Sequence, residues 1–370
     1  MSKVNAGRYD VSAISCGREQ TLALLSNGKV IGWGSEGSGR VPSGEPEYCT
    51  TPAPTRAVEV ISGDPMRAVA AGHGVSLGVT ARREVTAWGG SGAGVDGRAG
   101  AMAAAIPMTV GGVSAVRHVA AGEFQCAAID EKGGLYTWGL ALDGALGRDA
   151  ATFESPAARV PGIPALRDVA IGMGYMLALT QDRTIYAWGG NAAGQLGVGH
   201  LRTVETPTRV AIAHRVQAVA AGASHALALS TDGRVLAWGS NNHGQLGLGD
   251  AAPAYSTVPL EVSLPERAHA VAAGMYFSVA LGASGRVYAW GWNHHGQVGT
   301  GDEEDRRSPI AVEGIAHARR IAAGQAHVAV LAADALYGWG SNAAGQIGGA
   351  AKEQREPHLL LAIREVAIHG

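Results

Sequence analysis

Short runs with apolar side chains at every second position recur along the whole chain, often in pairs joined by a turn-forming dipeptide. In the clearest stretch, VQAVAAGASHALALSTDGRVLAWGSNNHGQLGLGD from Val216 to Asp250, the segments HALAL and RVLAW alternate in this way around Asp232-Gly233. A period of two places one row of side chains on each face of a strand, and Asp-Gly readily takes positive φ. The pattern therefore predicts a β-hairpin with a two-residue turn. VQAVAAG reads as a third strand ended by Gly222, and ETPTRVAI before it as a fourth, its proline suited to an edge. Glycine, 55 residues in all, returns too often for a helical period of 3.6 to persist, so helix is not expected.

The unit repeats. Trp33, Trp88, Trp138, Trp188, Trp238, Trp290 and Trp339 each precede a glycine, at spacings of 55, 50, 50, 50, 52 and 49 residues. Units of about 50 residues with four short strands match a propeller blade better than a helical repeat. The expectation is one all-β, seven-bladed β-propeller over residues 1–370, with each of these tryptophans in the wedge between blades. The first three units are looser: GRVP at 39–42, GVDG at 94–97 and GALG at 144–147 stand where later units carry GQLG, GQVG or GQIG. The turns Arg82-Arg83 and Asp334-Ala335 lack the expected glycine. The segment REVAIHG, 364–370, looks like an extra first strand, although DVSAISCG already opens the first unit, so one terminus competes with or supplements the closing strand.

The frame AAG…H.LAL…DG.V.AWG.N, combined with GQLG at 194–197 and 244–247, GQVG at 296–299 and GQIG at 345–348, resembles the regulator of chromosome condensation family. The resemblance covers about the whole chain and implies a seven-bladed propeller. It leaves function open, because one scaffold carries unrelated activities. The family's founding member exchanges guanine nucleotide on the nuclear transport GTPase, using a protruding hairpin wedge, and docks on chromatin by a basic tail. Unit spacings of 49 to 55 leave no room for a large wedge here, and no basic tail is visible. A bacterial propeller of this kind inhibits β-lactamases, but it would be secreted.

Charge and cysteine narrow the classes further. The 29 basic and 31 acidic residues leave a net charge of −2, and the lysines are scattered, so neither nucleic acid nor an acidic membrane is expected as a partner. Cys16, Cys49 and Cys126 have no CxxC spacing, which argues against a disulfide framework or a zinc site. The N-terminus shows no secretion signal and no apolar run is long enough to span a bilayer, so a cytoplasmic location is expected. No cofactor is expected and no catalytic residue is assigned, because no phosphate cradle, nucleophile elbow or paired carboxylate motif appears.

Antiparallel pairing brings the residues after each AAG glycine and after each Trp-Gly to one face, opposite the hairpin turns. Phe124, Met173, Tyr175, Met275, Tyr276 and Phe277 fall in the first set, and aromatics and methionine are scarce elsewhere in this alanine- and glycine-rich chain. His243, Trp292, His294 and His295 fall in the second, and Trp292 stands outside the repeating tryptophan set. His225 and His327 occupy the repeat's own histidine position, where hydrogen bonding is the expected role. These residues together are the candidate binding face for a protein or peptide. The rival reading is that they plug the central channel. Metal binding by His243, His294 and His295 is not expected, since no acidic or cysteine partner has a fixed spacing to them. GWNHH at 291–295 is similar to a motif repeated in the family's plant ultraviolet-B photoreceptor, but it occurs once here, without the tryptophan cluster that the photochemistry requires. The leading reading is a non-enzymatic binding propeller. The alternatives are nucleotide exchange on a small GTPase, or an enzyme using the same face with His294 or His295 as acid or base.

Overall fold

The computed structural model describes residues 10–35, 57–60, 63–89, 104–150, 152–333 and 335–362, with the backbone alone for 104–106. Cys49, the motifs at 39–42 and 94–97, Asp334 and the segment 364–370 lie outside the described residues. All regular structure among them is strand, in seven antiparallel sheets of four strands, each sheet built from consecutive strands in chain order. The blades run Val11–Val60, Met66–Thr109, Val116–Arg159, Leu166–Arg209, Val216–Val262, Ala268–Val312 and Arg320–Ala362. They form a seven-bladed β-propeller, numbered here 1 to 7.

Within a blade, position decides which residues a strand can carry. The second strands, such as His225–Ser230 and Phe277–Gly282, are buried along their whole length, because neighbouring blades cover both of their faces. Outer strands such as Val204–Arg209 and Tyr255–Val262 are half in solvent and carry Pro207 and Pro259, where a missing N–H breaks no ladder bond towards a further strand. The hairpin turns differ from the expected two-residue form. Ser230 N donates to Arg234 O at 2.9 Å and Gly233 N to Ser230 O at 3.0 Å, closing a three-residue loop in which Gly233 alone has positive φ, +82°. Arg83 and Arg183 hold the same left-handed place at φ 63° and 69°, so arginine substitutes for glycine there.

All seven repeating tryptophans are exposed by 2% or less. Four of them, Trp188, Trp238, Trp290 and Trp339, donate Nε1–H at 2.9 Å to carbonyls of the preceding blade, those of Ala145, Gln195, Gln245 and Gln297. The G-x-x-G loop is therefore the seat of the next blade's indole. A Cβ on Gly247, at φ +70°, would lie 2.7 Å from Trp290 Nε1, so the second glycine is required by the contact. The divergent GALG at 144–147 makes the same seat for Trp188, which corrects the expectation of a looser third unit at this loop.

The innermost strands surround a channel, and their terminal glycines touch the next blade's backbone. A Cβ on Gly17 would meet Gly72 O at 2.2 Å, and one on Gly324 would meet Gly17 O at 2.3 Å. The residue after each such glycine bonds onward: Arg18 N to Gly72 O, His73 N to Gly122 O, Met173 N to Ala223 O, Ala223 N to Met275 O, Met275 N to Gln325 O and Gln325 N to Gly17 O, at 3.0–3.3 Å. Among the described residues the junction of blades 3 and 4 lacks this bond. There Ile171 replaces the usual alanine, and its Cγ2 lies 2.5 Å from where a Cβ on Gly122 would stand. Blades 7 and 1 close the ring by packing, with Ala329, Leu331 and Leu336 in one core cluster with Val11, Ala23, Ile31 and Trp33.

Candidate functional site

His225 pairs with Gly239 and Leu229 with Val235, so the loops on either side of the hairpin's open end share one face and the turns occupy the other. The longer loops of blades 4 to 7 on that face are self-bonded frames. In blade 6, Asn293 Oδ1 accepts Val298 N at 2.8 Å, its Nδ2 donates to Asp302 O at 3.0 Å, and Gln297 Oε1 accepts His295 N at 2.8 Å. Blade 5 repeats the scheme with Asn241 to Leu246 N and Gln245 to His243 N, at 3.0 and 2.9 Å. The asparagine and glutamine point inward to hold the loop, which leaves the intervening side chains free to face outward.

At one position the frame differs between blades. Ser240 in blade 5 and Ser341 in blade 7 place a hydroxyl 3.4 Å from Nε2 of Gln245 and Gln346. Blade 6 has Trp292 at that place. Gln297 Nε2 is buried and has no hydrogen-bond partner among the described residues, a state that disfavours the fold.

The indole that displaces the serine is half-exposed and gathers a ring cluster. Its centroid lies 5.9 Å from Tyr276 in an edge contact, 5.3 Å from His295, 5.6 Å from His294 and 6.1 Å from His243, and His243 and Tyr276 are 5.6 Å apart. Two carboxylates of neighbouring blades orient the imidazoles. His243 Nδ1 stands 2.8 Å from Asp305 Oδ2, and His295 Nδ1 stands 2.8 Å from Glu353 Oε1. Asp305 and Glu353 were missed in the sequence because they lie 62 and 58 residues away. Superposing the repeats reveals them: both precede the outer-strand residue that pairs with the glycine of Trp-Gly, Arg306 and Gln354.

Four residues of the expected face are not on it. Tyr175, His225, Phe277 and His327 have 0% exposure, which corrects their assignment as surface contacts. Each opens a second strand, where its side chain enters the wedge between blades. Tyr175 OH donates to Gly222 O at 3.1 Å, and His327 Nε2 meets Thr21 Oγ1 of blade 1 at 2.9 Å. Ser278 Oγ donates to Gln245 O at 2.8 Å, so His225 Nε2, 3.0 Å away, is the donor to Ser278. Burial lowers His225 to about 4 and His327 to about 3, opposed by a backbone hydrogen bond at Phe277 and Gln20 respectively. Nδ1 of each has no partner among the described residues that could share a proton's charge.

Phe124 is half-buried against the core of blades 2 and 3. Met173 stays exposed and Met275 half-buried at the channel mouth. Alanine and glycine, not aromatic rings, make most of the channel wall, and the open space they surround is about 250 Å3. Polar groups cluster at its mouth on the side of blades 1 to 3. Arg18 Nη1 contacts His73 Nε2, and His73 Nδ1 lies 3.5 Å from Glu123 Oε1. Burial pushes the Glu123 carboxyl up, with Arg18 acting in the opposite direction. A trough of about 410 Å3 runs from this mouth over blade 7, walled by Trp292, His295 and Met275 on one side and Arg18 and Glu19 on the other. Its floor is made of small residues, among them Ala326, Ala343 and Ala344, where blades 5 and 6 carry larger side chains.

Comparison with known proteins agrees with this architecture. The family described as RCC1-like domain matches residues 91–369, and the regulator of chromosome condensation (RCC1) repeat matches residues 11–40. The human protein named "Probable E3 ubiquitin-protein ligase HERC3" is 46% identical over 63 residues, which are 16% of this chain and 6% of that protein. Among solved structures, human WBSCR16 superposes with a TM-score of 0.80 at 22% identity, covering 90% of this chain and 93% of that one. Prp20p of Saccharomyces cerevisiae gives 0.72 at 24% identity, covering 84% and 80%. With the repeat present from the first blade onward and the domain matched over most of its length, the chain belongs to the RCC1-like domain family.

Proposed function

We propose that this propeller is a non-enzymatic binding module that presents the face around Trp292 to a protein or peptide. The observation that carries the reading is the exchange of a scaffold serine for Trp292. That exchange leaves Gln297 Nε2 unsatisfied and sets a half-exposed indole among Tyr276, His243, His294 and His295. A residue that weakens its own loop while adding aromatic surface fits a contact anchor better than a packing element. His294 and His295 are read as contact residues, held by tilted and edge contacts with Trp292 respectively and, for His295, by Glu353. Support of a general kind comes from Prp20p, which binds Gsp1p and histones.

The test is affinity capture with the purified chain and with Trp292→Ser, which restores the side chain of blades 5 and 7. A partner retained by the parent and lost by Trp292→Ser, with no loss of thermal stability, is the expected result. Equal retention by both proteins would overturn the reading. Capture of a small GTPase, together with faster release of its bound nucleotide in the presence of the chain, would identify nucleotide exchange as the use of the face.

A further inference from the structure

The trough and the channel mouth share Arg18, Met275 and Gln325, so they form one continuous depression beside the ring cluster. Its charged lining is unbalanced. Glu19 and Glu123 face one guanidinium, that of Arg18, and the carboxylates of Asp305 and Glu353 stand behind His243 and His295 at the cluster's rim. Arg18 pairs with Glu19 at 3.4 Å and lies against His73, so Arg18 and Glu19 offset each other and Glu123 supplies the excess carboxylate at the mouth. Glu123 is mostly buried, and its carboxylate lies 3.5 Å from His73 Nδ1. The channel wall behind it is alanine methyl and glycine backbone, flanked by the thioethers of Met173 and Met275. A shaft of alanine methyls and glycine backbone with a carboxylate at its mouth suits a side chain that combines an aliphatic stem with a cationic head. The indole of Trp292 in the wall of the trough adds attraction for a second cation.

We propose that the partner segment bound by this face is extended and positively charged. A lysine or arginine enters the channel mouth against Glu123 and Glu19, and the flanking residues lie in the trough against Trp292. This rests on the reading that the face binds protein or peptide, and it names the chemistry of the bound segment.

The test is fluorescence anisotropy with a fluorescein-labelled peptide of alternating glycine and lysine, compared with its counterpart carrying glutamate for lysine. The lysine peptide is expected to bind and to weaken as salt is raised, and the glutamate peptide to bind at least tenfold more weakly. Glu123→Gln with Glu19→Gln should weaken the lysine peptide by about tenfold, and Trp292→Ser by a similar factor. Both exchanges preserve or restore side chains that the scaffold accommodates, and circular dichroism verifies that each variant is folded. Equal binding of the two peptides, no binding of the lysine peptide, or full affinity in the double glutamine variant would each overturn the inference. The two readings separate cleanly. A captured partner that requires Trp292 but ignores Glu19 and Glu123 leaves the binding face standing and removes the cationic segment. One that ignores Trp292 removes both.

Discussion

Two sets of aromatic and histidine side chains lie close together on this propeller and have opposite fates. Tyr175, His225, Phe277 and His327 form a buried set in the wedges between blades, while Tyr276, Trp292, His243, His294 and His295 form a partly solvated set on the loop face. Phe277 and Tyr276 are adjacent in the chain. What separates them is strand geometry. Phe277 begins the second strand, in register with Gly291 across the hairpin, and its ring lies against Gly274 in the wedge. Tyr276 still belongs to the loop, and its carbonyl accepts Trp292 N at 2.9 Å, which brings the two loops of the cluster together. Residue type alone therefore says little here about whether a ring serves the scaffold or the surface.

The sharpest way to break this comparison is to truncate one indole from each set. Trp238→Ala should destabilise the fold by ~3–5 kcal/mol, since it empties a fully buried wedge and frees the Gln195 carbonyl. Trp292→Ser should leave stability unchanged or raise it, because a hydroxyl returns beside Gln297. Chemical denaturation of the two variants decides the matter, and equal losses would erase the distinction between the sets.

A somewhat smaller effect distinguishes the histidines. His225 is lowered to about 4 by burial, opposed by the backbone at Phe277, whereas in the unfolded chain it titrates near the ordinary value of 6.5. The folded state then binds fewer protons between those values, so this contribution to stability is complete above pH 6.5 and falls as pH drops towards 4. The full loss is roughly 3 kcal/mol for His225. His327, lowered to about 3, adds to the same acid-side decline. His225→Gln, which copies Gln20 and Gln125 of blades 1 and 3, should reduce the slope of stability against pH in this window. An unchanged slope would show that the His225 ring is not held neutral in the wedge.

Affinity gives the next contrast. Tyr276→Ala and Trp292→Ser are each expected to weaken a captured partner by roughly 2 kcal/mol, the scale of interface anchors, as measured by titration calorimetry. On the opposite face, Asp232→Ala removes an exposed ion pair with Arg234 and should change partner affinity by less than about 0.5 kcal/mol. If Asp232→Ala weakened binding as much as Trp292→Ser, the contact surface would have to be placed on the turn side.

Much of the architecture is legible along the chain because its causes are local and repeated. Alternation marks the strands, Trp-Gly marks the third strand of each blade, and G-x-x-G marks the seat of the next tryptophan. The prediction that both loop sets share one face follows from antiparallel pairing alone, and His225 opposite Gly239 bears it out. The step that failed was treating the three residues after each AAG glycine as equivalent. The first lines the channel, the second lies on the face, and the third is the first buried residue of a strand, a boundary that composition does not reveal. The partners of the imidazoles were illegible for a different reason. Asp305 and Glu353 belong to the following blade, so sequence distance conceals a contact that the circular stacking of blades makes short.

The amino-acid sequence by itself determined the number of blades, the strand content and the interblade tryptophans, since each rests on a period or a local backbone preference repeated seven times. Only the tertiary structure decided which rings face water. It also decided that Trp292 occupies a serine's place over an unsatisfied glutamine, and that Glu19 and Glu123 share a depression with it. That shared depression depends on where blades 1, 3, 6 and 7 meet around the channel. A meeting of residues more than 100 positions apart leaves no trace in local periodicity, because it is set by the closure of the ring and not by any one repeat.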